Sequence, residues 1–333
     1  MWVLPEPSPR RTPKRVAVVT SGGDAPGMNA ALRAVVRTAA SRGIEVLGAN
    51  RGYTGLVQDS YRPLGVSSVG NILHRGGTLL KSDRSDAFRQ PSVRAQVAER
   101  LRQHGIEALI VIGGDGSLTG AHLLTHETGF PVLGLPASID NDIIGTDHTI
   151  GFDTAMNTAL EAIDRIRDTA HSHERVFLVE VMGRSSGFLA TAVGIAAGAE
   201  IILMPDCEVN LPSLLAGLTA SRLRGKTSSL IVVAEGKDPS ATPRLAAQLS
   251  DHGHQARACI LGHLQRGGSP SGQDRLLASC LGESAIRYLC AGIDGVMLGV
   301  REGRVCTTPL TEVIQGRKAE RPELLDLARV LSS

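Results

Sequence analysis

Short runs of β-branched and other apolar residues recur along the chain, and most give way to a polar or glycine-rich turn and then a longer amphipathic stretch. Residues 16–20 are followed by an alanine-rich segment over 28–41 and a second apolar run over 44–49, which reads as strand, helix, strand. The rhythm returns at 108–112, 132–135, 176–181, 201–204, 230–234 and 258–261, with helix-like segments between most of them. Strands that are apolar at nearly every position suit a parallel sheet covered on both faces, because each crossover helix packs back onto the sheet. The class is therefore α/β. Open folds of this class bind ligands outside the carboxyl ends of their strands, so chemistry is sought in the turns that follow them.

Composition narrows the partners. The chain has 333 residues, enough for two domains or one large one, and its net charge is +2 from 35 basic and 33 acidic residues. No charge excess points to nucleic acid or a membrane surface, so any anion specificity must be local. No apolar run approaches the ~20 residues of a membrane span. The cysteines are Cys207, Cys259, Cys280, Cys290 and Cys306, an odd number with no Cys-x-x-Cys pair, which suggests free thiols in a reducing, cytoplasmic setting. Residues 1–14 combine Pro5, Pro7, Pro9 and Pro13 with Arg10, Arg11 and Lys14 and contain no apolar signal core; they read as a flexible extension. The helix-like segment over 154–169 carries Met156, Ala159, Leu160, Ile163 and Ile166 on one stripe, with Arg165 and Asp168 outward, as a helix packed on a sheet does.

Three turns carry the chemistry. The first strand runs into Thr20-Ser21-Gly22-Gly23-Asp24-Ala25-Pro26-Gly27-Met28-Asn29, where glycines let backbone amides approach an anion at a helix N-terminus. It matches neither a Walker sequence nor Gly-x-Gly-x-x-Gly, so a plain strand-to-helix turn remains open. A later strand ends in Gly113-Gly114-Asp115-Gly116-Ser117. Asp115 is badly placed for a core and well placed to hold a hard cation that bridges phosphate oxygens, although a capping aspartate reads from the same residues. Other nucleotide-using kinases, NAD kinases and diacylglycerol kinases among them, carry a similar turn. A third strand ends in Pro136-Ala137-Ser138-Ile139-Asp140-Asn141-Asp142, followed by Gly145-Thr146-Asp147. Two aspartates in one polar loop suit phosphoryl transfer, which needs a base at the attacking hydroxyl and a cation at the leaving charge; a cluster of Asx turns is the alternative.

These turns, with Met182-Gly183-Arg184 and Gly262-His263-Leu264-Gln265-Arg266-Gly267-Gly268-Ser269-Pro270 following in order, closely resemble the bacterial phosphofructokinase family, from about Arg15 almost to the C-terminus. The resemblance implies ATP-dependent phosphorylation of fructose 6-phosphate on its 1-hydroxyl, the committed step of glycolysis. It implies two similar three-layer α/β domains with mostly parallel sheets and an active site in the cleft between them. Residues 15–150 with 265–313 would bind ATP and magnesium, and residues 151–264 with 314–333 would bind fructose 6-phosphate. Gly23, Arg84, Gly114, Asp115, Gly116 and Ser117 would hold ATP, with Asp115 on Mg2+. Asp140 would be the general base and Asp142 would help organise metal and water. Ser138 stands where the family is expected to have threonine and keeps a hydroxyl for the substrate, beside Ile139. Arg175, Arg257, His263 and Arg266 would take the 6-phosphate, while Met182, Gly183, Arg184 and Glu235 hold the sugar; Arg184 is also placed to meet the moving phosphoryl group. The arginines matching Arg175 and Arg257 reach in from a neighbouring subunit in the family, so a homotetramer is expected.

Relatives that use pyrophosphate typically carry aspartate at the position of Gly116 and lysine at that of Ala137, so these two small residues favour ATP. A pyrophosphate user, an NAD kinase and a non-catalytic sugar-phosphate-binding subunit are the competing readings; the last is disfavoured by the presence of both Asp115 and Asp140. Effector-binding positions of the family fall on Arg33, Arg37, Arg167, Glu200, Arg224 and Lys226, able to bind ADP or a small phosphorylated metabolite. An expected arginine is Val66 and an expected histidine is Ser228, so the effector stays open, as do intersubunit ion pairs for these arginines.

Overall fold

The structure is a computed structural model describing residues 2–173, 175–205, 209–319 and 322–332. The chain divides into two compact units: Met1–Thr154 with Arg266–Lys318, and Ala155–Gln265 with Ala319–Ser333.

The first unit begins β1 (Arg15–Ser21), α1 (Met28–Ser41), β2 (Glu45–Ala49), α2 (Gly52–Val57), β3 (Tyr61–Pro63), α3 (Pro91–Gln103), β4 (Ala108–Gly113), α4 (Asp115–Thr128) and β5 (Val132–Pro136). From it α5 (Phe152–His173) leads into the second unit. There follow β6 (Val176–Val181), α6 (Phe188–Ala196), β7 (Ile201–Leu203), α7 (Leu211–Leu223), β8 (Ser229–Ala234), α8 (Ala241–Asp251) and β9 (Ala256–Ile260). The chain returns with α9 (Gly272–Cys290), β10 (Val296–Arg301), β11 (Arg304–Pro309) and α10 (Leu310–Val313), and ends in α11 (Pro322–Ser332).

Among the described residues, unit one holds a seven-stranded sheet in the order β11-β10-β5-β4-β1-β2-β3. Its inner strands are parallel, while β3 and β11 close the two edges antiparallel. The sheet is thus mixed at its rims, and the three strands the apolar rhythm omits, β3, β10 and β11, all lie at or next to an edge. There one side of the strand is less covered and the sequence need not be apolar throughout. On one face Val97, Leu101, Leu118 and Leu124 of α3 and α4 pack on Leu109 and Val111 of β4. On the other face α1 and α9 pack together, close enough that a Cβ on Gly282 would lie 2.6 Å from Ala31 O.

Among the described residues, unit two holds a four-stranded, all-parallel sheet in the order β7-β8-β6-β9. Leu214 and Leu218 of α7 and Leu245 and Leu249 of α8 bury against Leu178 and Ile231. In α5 the fully buried line is Ala155, Ala159 and Ile163, while Met156, Leu160 and Ile166 of the expected stripe are half-buried. Arg165 and Asp168 are exposed as expected, and Arg165 pairs with Glu161 one turn back.

The leading residues are tied down rather than loose. Val3 bridges Arg304 beside β11, the amides of Arg10 and Arg11 donate to Cys290 O, and Glu6 and Glu107 pair with Arg287 and Arg11. The prolines stiffen the segment, and backbone donors among them find acceptors on unit one. Cys259, Cys280, Cys290 and Cys306 carry no disulfide, and Cys207 lies outside the described residues. No helix among the described residues is long and apolar enough to cross a membrane.

Candidate active site

In unit one the three chemistry-bearing turns leave adjacent parallel strands at one level. Ser21 at the end of β1 pairs with Gly113 at the end of β4, which pairs with Pro136 at the end of β5. Gly113 is where these turns approach most closely, since a Cβ there would lie 2.5 Å from Ser21 O and 2.7 Å from Ser117 Cβ. Any side chain would push the turns apart. Gly23 lies against Arg266, whose Nη1 donates to Asp24 O at 3.2 Å. Arg266 therefore belongs to this turn within unit one.

Gly114 is extended and caps α4, whose first turn contains Asp115, Gly116 and the buried Ser117. Asp115 and Gly116 are exposed, and a Cβ on Gly116 would meet no atom within 4 Å. Free amides and the positive end of the helix dipole thus face open space beside a carboxylate, an arrangement suited to phosphate. Among the described residues no three carboxylate, imidazole or thiolate side chains group together as a self-sufficient metal cage. A lone exposed carboxylate next to a phosphate cradle fits magnesium, which takes one or two carboxylates and completes its shell with phosphate and water.

The third turn is a closed loop. Ser138 N donates to Ile150 O and Ile150 N to Pro136 O, both at 3.0 Å, while Ala137 N reaches Gly113 O. Asp140 N donates to Ser138 Oγ at 3.1 Å, which leaves the proton of that hydroxyl to donate. Asp140 is 6% exposed and Asp142 half-buried, with Lys318 N donating to Asp142 O. Ile139 is fully buried, so only its backbone can reach a ligand. Arg84, exposed, sits on a loop held to the end of β1 by Thr20, whose hydroxyl donates to Lys81 O at 2.9 Å. Its own amide donates to Asp83 Oδ1, and Asp83 pairs with Arg51.

In unit two, Met182-Gly183-Arg184 follow β6, Glu235 follows β8, and a 3-10 turn that starts at Gly262 and contains His263 follows β9, so the three segments share the carboxyl edge of neighbouring parallel strands. Arg184 is exposed, adopts a left-handed φ of 53°, and its amide donates to Glu235 Oε2 at 3.2 Å. Met182 is buried, leaving its backbone for recognition. Arg175 and Arg257 lie at the opposite end of the same strands: Arg175 precedes β6, and Arg257 pairs with Phe177 near its start. The length of β6 separates them from Arg184 by roughly 20 Å. The chain does not bring these two arginines to the other sugar-phosphate candidates. Arg175 Nε is buried with no hydrogen-bond partner among the described residues.

The effector candidates also divide. Arg33 and Arg37 are on α1 in unit one; in unit two Arg167, Glu200, Lys226 and Ser228 line a pocket of about 300 Å³, with Arg224 next to it in sequence. Lys226 Nζ stands 3.5 Å from Glu200 Oε1, and Arg167 donates to Ala197 O and Gly198 O.

Several buried polar residues escaped the sequence reading. Gln265, fully buried, accepts from Met182 N at 2.8 Å; it stood inside a recognised motif but its partner is 83 residues away. Asn141 stood between the two aspartates. Asp274 accepts from Gly151 N and Thr154 N at 2.8 Å, capping the start of α5 across the chain, and its only local signal was Ser271 three residues earlier, whose hydroxyl accepts from Asp274 N. Burial pushes the Asp274 carboxyl pKa up even though these bonds pull it down. Burial likewise raises Glu180 on β6; a bond from Thr242 opposes the shift and nearby Glu235 adds to it.

A family model described as phosphofructokinase matches residues 15–289. The chain is 54% identical over 320 residues to ATP-dependent 6-phosphofructokinase 1 of Thermus thermophilus, covering 96% of this chain and 99% of that relative. It is 49% identical over 320 residues to the ATP-dependent 6-phosphofructokinase of Listeria monocytogenes, with the same coverage. A solved phosphofructokinase from Saccharomyces cerevisiae matches with a TM-score of 0.84 at 35% identity over 96% of this chain; this chain spans about half of that longer one, 46%. A pyrophosphate-dependent phosphofructokinase from Nitrosospira multiformis, 21% identical with a TM-score of 0.83 over 97% of this chain and 91% of its own, shares the fold.

Proposed function

The chain belongs to the phosphofructokinase family, and from that premise we propose that it transfers the terminal phosphoryl group of ATP to the 1-hydroxyl of fructose 6-phosphate in the cytoplasm. The observation that carries the reading is the set of three turns at one level on β1, β4 and β5, an anion cradle and a helix N-terminus beside a loop with paired aspartates.

In this reading the amides around Gly23 and Gly114 to Ser117 hold the phosphates of ATP, and Arg84 adds charge beside them. Asp115 would hold magnesium, which would neutralise phosphate charge and polarise the transferring group. Asp140 takes the proton of the sugar hydroxyl, Asp142 orders water and metal, and Arg184 offsets charge on the moving phosphoryl group. Ser138, Ile139, Met182, Gly183 and Glu235 hold the sugar, the isoleucine and methionine through their backbones. Positioning and fixed charges supply most of the rate. The open space at Gly116 supports ATP as donor, because a carboxylate there would enter the phosphate region. Ala137 supports it too, since it is 1% exposed and a lysine in its place would have to bury its charge.

His263 and Arg266 receive the 6-phosphate, joined by Arg175 and Arg257 of a second copy in a homotetramer. The opposite-edge placement of those two arginines supports sharing, because one chain does not gather them. Of the six effector candidates, Arg167, Glu200 and Lys226 with neighbouring Arg224 form a site for a phosphorylated ligand at the unit-two pocket, where Ser228 removes an anion contact, while Arg33 and Arg37 stand apart on α1 of unit one.

The test uses two variants. Asp140→Asn is expected to cut kcat ~100-fold or more with little change in substrate KM; near-normal turnover removes Asp140 as the base. Arg175→Ala is expected to lose turnover at low fructose 6-phosphate. Refolding the two variants together recreates sites with both groups, so activity above the sum of the parts is expected, and additive activity means that Arg175 serves its own chain.

A further inference from the structure

We infer that Asn141 is a positioning residue for the reaction, fixing the direction of the Asp140 carboxylate through its left-handed backbone and its side-chain amide together. The inference rests on Asp140 being the base. Asn141 has a φ of 52°, a region that L side chains rarely enter and that asparagine tolerates better than most. This left-handed residue stands between the two aspartates, so it sets the direction in which the chain leaves Asp140.

The side chain closes the loop. At 6% exposure, Asn141 Oδ1 accepts from Thr149 N at 3.0 Å and Nδ2 donates to Asp147 O at 3.2 Å. The Thr149 hydroxyl lies 3.3 Å from the same Oδ1, but its single proton goes to the closer Ser138 O at 2.6 Å. Both residues that Asn141 grips are anchored elsewhere. Asp147 N donates to Val300 O at 2.7 Å, Asp147 Oδ2 accepts from Glu302 N at 2.9 Å, and Lys318 Nζ donates to Asp147 O at 2.7 Å. Thr149 is held to Ser138, the residue whose hydroxyl receives the Asp140 amide. Asn141 thus connects the aspartate pair to β10 and to the root of its own loop. Without the amide, the segment from Asp140 to Asp142 loses its ties to Asp147 O and to Thr149 N. A misplacement of about 1 Å at a reacting group can lower a rate ~100-fold while leaving binding nearly intact.

The experiment separates the two contributions in the full enzyme. Asn141→Gly keeps the left-handed backbone and removes the amide; Asn141→Ala removes both. Each is assayed for kcat, for KM of both substrates and for Tm, with Asp140→Asn alongside. The expected result is a fall in kcat of about 10-fold for Gly and about 100-fold for Ala, KM within about 3-fold of wild type and the glycine variant the faster of the two. Wild-type kcat in both variants, or losses that track Tm and KM rather than kcat, overturns the positioning role while Asp140→Asn remains inactive. If Asp140→Asn itself turns over normally, the base assignment fails and takes this inference with it. Should the alanine variant fail to fold, the glycine variant decides alone, because its kcat must fall while its KM and Tm stay.

Discussion

Glu180 is buried on β6, receives the Thr242 hydroxyl on its carboxylate and has Glu235 close enough to raise its pKa further. Burial is the larger cause, and the folded chain therefore holds this proton more tightly than the unfolded chain does. A raised carboxyl contributes stability that is fully present below the unfolded value of about 4.3 and is lost as pH rises through the folded value. Glu180→Gln, which mimics the protonated form and keeps an acceptor for Thr242, is expected to remove that slope and to raise Tm at neutral pH relative to wild type. Parallel Tm curves for the two proteins across this window would mean that Glu180 titrates as it does in water. At this scale the legible residues were those whose neighbours in sequence explain them: Asp115 within glycines, and Asp140 with Asp142 in one loop. Gln265 and Asp274 were opaque because their partners lie 83 and 123 residues away. Ile139 and Met182 show a second limit, since sequence marks a position without saying that the side chain is buried and only the backbone is presented.

The parallel strands were legible as elements because burial on both faces demands apolar residues throughout. The β10–β11 hairpin was not, although Glu302 and Gly303, both at positive φ, form the two-residue turn that a hairpin favours. Helix packing carries a test of its own. Gly282 on α9 meets α1 so closely that a Cβ would lie 2.6 Å from Ala31 O and 2.8 Å from Ala34 Cβ, whereas Gly217 on α7 has nothing within 4 Å. Intrinsic helix propensity favours alanine over glycine at both positions by up to ~1 kcal/mol. Gly217→Ala is expected to gain about 0.5–1 kcal/mol, and Gly282→Ala to lose about 1–3 kcal/mol as α9 is driven off α1. Denaturant unfolding of the two variants decides; equal effects would show that α1 and α9 yield readily to the extra methyl group.

Across the whole molecule, the two units separate the chemistry. Unit one holds the three glycine-rich and polar turns with Asp115 and Asp140; unit two holds Arg184, Glu235 and His263 on one sheet edge and Arg175 and Arg257 on the other. The choice of donor belongs to this scale because it changes what the enzyme consumes, and in the proposed function it rests on Gly116 and Ala137, one beside open space and one buried. The most direct measurement is a coupled assay of the purified protein with fructose 6-phosphate and magnesium, supplied in turn with ATP and with pyrophosphate. Turnover with ATP and none with pyrophosphate is the expected result; turnover with pyrophosphate alone would contradict it.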